Sequence, residues 1–514
     1  MDSRITAEAD ERTALLADDA NNQQPASRAD EPPTEATGTE AASTDAKLPR
    51  KSIVTFAICT LSYFFVVLSA SIMQPATSEV VEEIICQRLY PDVAHGRDPR
   101  CKDNFVQGEL SFIEGWSFPL FLLPGVVTAV PYGILADTYG RRLGIGLCML
   151  GLLLQQGAML VIYAFPQIFP IRTVWWASLL SFIGGGATVL SALIFAAVSS
   201  VAPGAKKTLM FSYLGAAITA AELIGSPLAW LIMRRGAWLA IYISFFLMVM
   251  GAVCALFIPD IRGDARPASA ATWKAGSVFR PSFVQRQLVA AGRKVRHIVR
   301  TQFIEQRTLG LLLISLLFTT LGKAFTLLLA QYVARRFGWT WGETGLLSSL
   351  QGGITMGTTS LIIPLLDGLL RLKWSWTLFE KDIFLAQLSL AIMVTGFFGI
   401  GLASTSAVML VFVSWTSLSK GQEFIMRSLL AQAAGEANVG VVYTTISVLE
   451  TGGIAVVGPL LAAAFRQGLD WGGAWIGFPF FVAGILVFIG SCLVWVASRT
   501  AKVDLFSSEE AGQC

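Results

Sequence analysis

Gly133-Ile134-Leu135-Ala136-Asp137-Thr138-Tyr139-Gly140-Arg141-Arg142 is a charged, glycine-punctuated turn between two long apolar segments. Gly133 removes a side chain where one helix is expected to approach another closely, as small residues do in membrane bundles. Asp137 supplies a negative charge for the positive end of a neighbouring helix. Arg141 and Arg142, just past Gly140, are expected to stay in cytoplasmic water and fix orientation. Such a cluster forms a latch that sliding helices can break. The plainer alternative is a polar connection between helices, and the flanking sequence decides between them.

Of 514 residues 54% are hydrophobic and only 14% charged, with a mean hydropathy of +0.61. A soluble domain carries about a quarter charged residues, so the chain reads as an integral membrane protein. A net charge of +3 gives no case for nucleic acid. The only histidines are His95 and His297, and no metal-ligand spacing or triad material accompanies them. No metal, cofactor or catalytic residue is therefore expected, and an integral membrane enzyme has no supporting constellation. Cys59, Cys148, Cys254 and Cys492 lie in apolar segments, where a small buried thiol is the ordinary reading. Cys86 and Cys101 share a polar stretch between the first two apolar segments. If that stretch is extracytoplasmic, bonded and free cysteines are equally open outcomes.

About 20 apolar residues cross the hydrocarbon core as a helix, because only structures that close their own hydrogen bonds survive there. Twelve such segments are expected, near 52–76, 108–135, 143–165, 173–201, 208–233 and 237–258, then 308–331, 343–366, 382–403, 406–431, 439–465 and 473–497. The expectation is an all-α membrane protein of twelve transmembrane helices in two pseudo-symmetric six-helix halves, residues 47–258 and 308–498. Residues 1–46 hold eleven acids against Arg4, Arg12 and Arg28, and read as a disordered acidic tail with no cleavable signal peptide. Within this tail Glu11-Arg12-Thr13-Ala14-Leu15-Leu16 resembles an acidic dileucine sorting signal for vacuolar delivery.

Residues 259–307 carry ten bases against Asp260, Asp264 and Glu305. Apolar positions from Phe283 to Ile304 recur there at helical spacing, which describes a basic amphipathic helix on anionic lipid. Lys47, Arg50, Lys51, Arg141, Arg142, Lys206 and Lys207 put the same side in the cytoplasm, and with it both termini, including the 499–514 tail. Arg234-Arg235 and Arg335-Arg336 run against that rule and are outnumbered.

Charge inside a transmembrane helix costs several kcal/mol and marks a functional candidate. Glu222, Lys323 and Glu450 lie near the middle of their segments and are the candidate proton or substrate sites. Thr219 and Ser226 share the Glu222 face, and Lys323 is a counter-charge or anion contact. The alternative is a permanent Lys–Glu pair joining helices. Lys420, Glu423 and Arg427 are three and four apart, hence on one face and expected to neutralise one another. Glu222 with Gly225-Ser226-Pro227, and Glu450 with Gly452-Gly453 and Gly458-Pro459, fall at equivalent places in the two halves. Paired interruptions of this kind point to a site between the halves.

The turn at 133–142 resembles the loop between the second and third helices of major facilitator superfamily transporters, matching Gly, x, Leu, Ala, Asp, x, x, Gly, Arg, Arg at each position. Further stretches resemble a fungal branch distantly similar to the proton-coupled folate transporter group. They include Cys86 to Trp116, Lys323 to Trp339, Arg427 to Leu430, and Gly472 to Gly477. The resemblance implies the major facilitator fold and alternating access, commonly proton-driven, with solute held between the halves. Two departures weaken proton antiport: no Arg precedes the fourth-segment glycines, where Leu180-Ser181-Phe182-Ile183 stands, and the fifth-segment glycine motif is reduced to Gly225-Ser226-Pro227. The resulting expectation is a monomeric transporter of a small organic solute, with protons and membrane lipid as further partners, exporting at the plasma membrane. A proton-coupled importer, a transceptor and a vacuolar location are the alternatives.

Overall fold

Helices are the one regular structure of the computed structural model among its described residues, which are 50–92, 98–201, 207–259, 307–363, 365–366, 369, 378–434 and 439–511. The acidic tail with its dileucine-like hexamer and the basic amphipathic segment fall outside them.

The N-terminal half comprises α1 (Arg50–Leu89), α2 (Asn104–Tyr139), α3 (Arg141–Ala164), α4 (Ile171–Val201), α5 (Lys207–Met233) and α6 (Ala237–Leu256). The C-terminal half comprises α7 (Arg307–Phe337), α8 (Trp341–Gly357, continued by a π turn over Thr358–Ile362), α9 (Leu378–Leu402), α10 (Ser406–Ser417 and Gln422–Ala434), α11 (Val439–Trp471) and α12 (Phe478–Ala511). Among the described residues, ten helices are long and apolar enough to cross a membrane. The exceptions are α8 and α10, whose regular helices end at Gly357 and Ser417. Within the halves α1 packs along α6 and, in the same relation, α7 along α12. Between the halves α2 packs on α11 and α5 on α8. The tightest of these crossings is at Gly115 of α2, where an added Cβ would lie 2.7 Å from the Gly458 carbonyl of α11.

Three segments depart from plain apolar rods. First, α1 runs well past the apolar stretch expected to end near residue 76, and its last turns are held by the Cys86–Cys101 disulfide. In α4 the chain tightens to a 3-10 turn at Ser178–Phe182 and restarts at Gly186. Gly184, Gly185 and Gly186 have φ of 102°, 86° and 71° there, a run that residues with a Cβ resist. The break is pinned by Tyr132, whose hydroxyl accepts from the Gly184 N–H at 2.7 Å and donates to the Phe182 carbonyl at 3.1 Å. Finally, α10 is interrupted at Leu418–Gly421, where N–H groups reach back three residues instead of four.

At the 133–142 turn, Gly140 joins α2 to α3 with φ of 100°. Gly133 does not make the expected close approach, since an added Cβ would meet nothing within 4 Å; it lines a cavity instead. Both arginines hydrogen-bond helix carbonyls, Arg142 while remaining exposed. Arg141 donates to the Ala196 carbonyl of α4, and Arg142 to the Leu256 carbonyl at 2.6 Å, the last residue of α6. Helix C-termini leave carbonyls unpaired and carry partial negative charge, so arginine is well suited to Leu256, whereas Ala196 lies five residues before Val201, where its helix ends. The Asp137 side chain is outside the described residues.

Candidate substrate cavity

Between the halves lies a polar cavity of about 830 Å³ bounded by α1, α2, α5, α7, α8 and α10. From the N-terminal half, α5 contributes Glu222, with Thr219 and Ser226 on the same face, and α2 contributes Glu114. From the C-terminal half, α10 contributes Lys420. The ammonium stands beside the interruption of the helix, and its one hydrogen bond among the described residues is long, 3.4 Å to Gln351 Oε1 of α8. Glu222 is exposed to the cavity. Among the described residues its carboxylate has no hydrogen-bond or ion-pair partner. Glu114 takes one hydrogen bond, from Ser78 Oγ at 2.6 Å. A carboxylate in this position can take up a proton or a cationic group, and the facing ammonium can hold an anionic or polar one.

The remaining charges at mid-depth in the C-terminal half are paired across helices. Lys323 of α7 meets Glu423 at 3.1 Å, and Arg427 meets Glu450 of α11 at 3.0 Å. Among the described residues, no two of Lys420, Glu423 and Arg427 are in direct ion-pair contact, although Glu423 lies within the fields of both bases. The break in α10 turns Lys420 toward α8, and each remaining charge finds a neighbour on a different helix. Lys323 has Glu423 as its direct partner and lies within the field of Glu450.

At the end of the bundle that carries the disulfide, polar contacts bridge the halves. Glu82 of α1, only 2% exposed, is the centre. It accepts from Lys102 Nζ at 2.8 Å, from Gln107 Nε2, and from the Trp341 indole of α8 at 2.6 Å. Gln331 of α7 donates to the Gln107 carbonyl at 2.8 Å, and Arg335 to Asn104 Oδ1 at 2.7 Å. The disulfide ties the end of α1 to the residue preceding Lys102, so the ammonium stays over Glu82 and 5.2 Å from the centre of the Trp341 ring. Sequence reading overlooked Glu82, Trp341 and Gln331. Glu82 stands six residues past the expected end of the first apolar segment, and the signal available was its nearness to Cys86. In the adjoining loop, hydrogen bonds from the Arg100 guanidinium hold Asp92 and Asp98 below the usual carboxylate range.

At the opposite end the bundle is hollow. A cavity of about 560 Å³ opens between α2, α4 and α11, with Gly133, Arg141 and Glu450 in its walls. Polar contacts therefore close the bundle at the disulfide end, while among the described residues this cavity lies toward the end bearing the 133–142 turn.

The family model described as the Major Facilitator Superfamily matches residues 53–458. An MFS efflux pump of Emericella nidulans, atnC, is 26% identical over 449 residues, covering 83% of this chain and 84% of that protein. The efflux pump ustT of Aspergillus flavus is also 26% identical, over 434 residues, covering 81% and 83%. Among solved structures, an auto-inhibited POT family peptide transporter superposes with a TM-score of 0.59 at 14% identity, covering 88% of this chain and 97% of that one.

Proposed function

Since the chain belongs to the Major Facilitator Superfamily, and is thus a multi-pass membrane transporter and not an enzyme, we propose that it exports a small organic solute by alternating access. The observation that carries this reading is the central cavity, where Glu222 from one half faces the same space as Lys420 from the other. Groups contributed by both halves are separated or brought together when the halves rock, so solute held between them is moved from one side to the other. The positive-inside tendency assigns the end bearing Arg141 and Arg142 to the cytoplasm. The cavities then open inward and load from inside the cell, in keeping with relatives named efflux pumps. Glu222 takes a proton, and Lys420 an anionic or polar part of the solute. Lys323 and Glu450, each paired, act as helix-joining charges. The plasma membrane is the location that fits export from the cell.

Untargeted mass spectrometry of cells and medium tests this, comparing strains that carry the protein or its Glu222→Gln variant at equal expression. Export through a carboxylate-dependent site predicts a compound retained in mutant cells and depleted from their medium. The reverse distribution would establish import. Identical profiles would remove Glu222 from the mechanism.

A further inference from the structure

Beside the central cavity, and sharing Gln74, Ser78 and Glu114 with it, lies a second cavity of about 540 Å³ set largely within the N-terminal half. Its walls are mainly apolar, with Phe118 of α2, Met73 of α1 and Met159 of α3 among them. Methionine and phenylalanine together make an adaptable surface for a flat ring, and the volume is that of an ordinary organic-ligand site.

Three polar groups in these walls lack the partners that buried polar groups normally have. Gln155 of α3 is 3% exposed and its Oε1 has no hydrogen-bond partner. Ser178, in the 3-10 turn of α4, is fully buried and its Oγ has none. The Glu114 carboxylate has the Ser78 hydroxyl and, among the described residues, no ion pair. The neighbouring polar side chains are satisfied within the protein: Gln156 Nε2 donates to Ser244 Oγ at 3.1 Å, and Ser117 Oγ to the Ile113 carbonyl at 2.7 Å. What is left over is a carboxylate, an amide oxygen, one hydroxyl and the exposed side-chain amide of Gln74. That set calls for a ligand that donates hydrogen bonds and brings positive charge, because a carboxylate in apolar surroundings is costly without a cation.

We propose that this side cavity is a binding site for a planar, lipophilic organic amine, its rings against Phe118, Met73 and Met159 and its protonated nitrogen on Glu114 and Gln155. The assignment deepens the export reading by naming a substrate class, and it is tested by binding alone, so either can fail without the other.

Equilibrium dialysis of 9-aminoacridine against purified protein in lipid nanodiscs supplies the test, with anthracene-9-carboxylate as the anionic ring of matching shape. Saturable binding of the cation is expected, weakened about tenfold or more by Glu114→Gln, which corresponds to about 1.4 kcal/mol. Met159→Trp, which fills the apolar wall without altering charge, and Gln155→Leu should each weaken it as well, so that a poorly folding Glu114 variant does not decide the matter. Asp98→Asn, in the loop outside the bundle and lining neither cavity, should leave the affinity within about twofold. The proposal is overturned by equal affinity for the anionic ring, by absence of saturable binding, or by unchanged affinity in both Glu114→Gln and Met159→Trp. Loss of binding in Glu222→Gln with retention in Glu114→Gln would also overturn it, placing the amine in the central cavity. Export results bear on the other reading: loss of export in Glu222→Gln with intact 9-aminoacridine binding leaves both standing.

Discussion

At mid-depth in the N-terminal half, Glu114 and Glu222 border cavities with no cation in ion-pair contact among the described residues. In the C-terminal half, Lys323 is tied to Glu423 and Arg427 to Glu450. The cost of charge in an apolar bundle is the same on both sides, and it is met differently. Cross-helix pairing offsets it in one half and joins α7, α10 and α11 in doing so. In the other half it is offset by exposure to a cavity and the Lys420 ammonium across it, or by one hydroxyl contact, and the carboxylates stay available to something that enters. The paired charges accordingly read as structure and the unpaired ones as chemistry.

The largest effect should come from giving the N-terminal half the pairing that it lacks. Thr219→Lys sets an ammonium three residues before Glu222 on the same helix face and lines the same cavity. Export should fall about tenfold or more with Glu222 still in place, as measured by solute efflux from preloaded cells. Normal efflux would mean that a free carboxylate at Glu222 is not needed.

Next in size is removal of one member of a C-terminal pair. Glu450→Gln leaves Arg427 without its partner, and about 1–3 kcal/mol of stability should be lost. The double change Arg427→Met with Glu450→Met should recover most of it. Thermal unfolding in detergent reads both, and a double variant no better than the single one would contradict a structural role.

A smaller coupling, about 0.2–1 kcal/mol, is expected for Lys323 and Glu423, because the Glu423 side chain is 48% exposed and solvent weakens the pair. A double-mutant cycle measures it.

Smallest of all is the loop pair outside the bundle. Asp92 and Asp98 are held below their ordinary value of 3.8, so their contribution to loop order is present above that value and lost as the pH falls below it. The Arg100 amide, which donates to Asp98 Oδ1 at 2.9 Å, should lose exchange protection on acidification. Asp98→Asn should show reduced protection already at neutral pH, and equal protection at neutral pH would remove Asp98 from the loop's support.

The rods of the fold were legible because hydrocarbon imposes long apolar runs, and Glu222 stood out because an acid interrupts one of them. Partners were not legible. Helical spacing looks only along one helix, whereas the direct contacts of Glu423 and Arg427 go to Lys323 and Glu450 on other helices. The tightened turn at Leu418–Gly421 sets Lys420 outside the regular helix that carries them. Gly133 looked like a contact glycine from its place in the motif, whereas the contact belongs to Gly115 and Gly458, far apart in sequence. Glu82 was hidden for a related reason: hydropathy ends the first segment before it, while tertiary contacts with Lys102, Gln107 and Trp341 carry the helix onward.

The crossing of Gly115 and Gly458 has a mechanical corollary. Two backbones in direct contact cannot slide far without collision, so the crossing is the natural fulcrum for α2 against α11. From Gly115, α2 extends 11 residues to Asn104 (115 − 104) but 24 to Tyr139 (139 − 115). At 1.5 Å per residue the lever arms are about 17 Å and about 36 Å. A tilt of about 5° then displaces the sealed end by about 1.5 Å, enough to part hydrogen bonds such as that from Arg335 to Asn104 Oδ1, while the opposite end sweeps about 3 Å. Unequal arms let a bundle with a short, tightly bonded gate on one side work a wide mouth on the other.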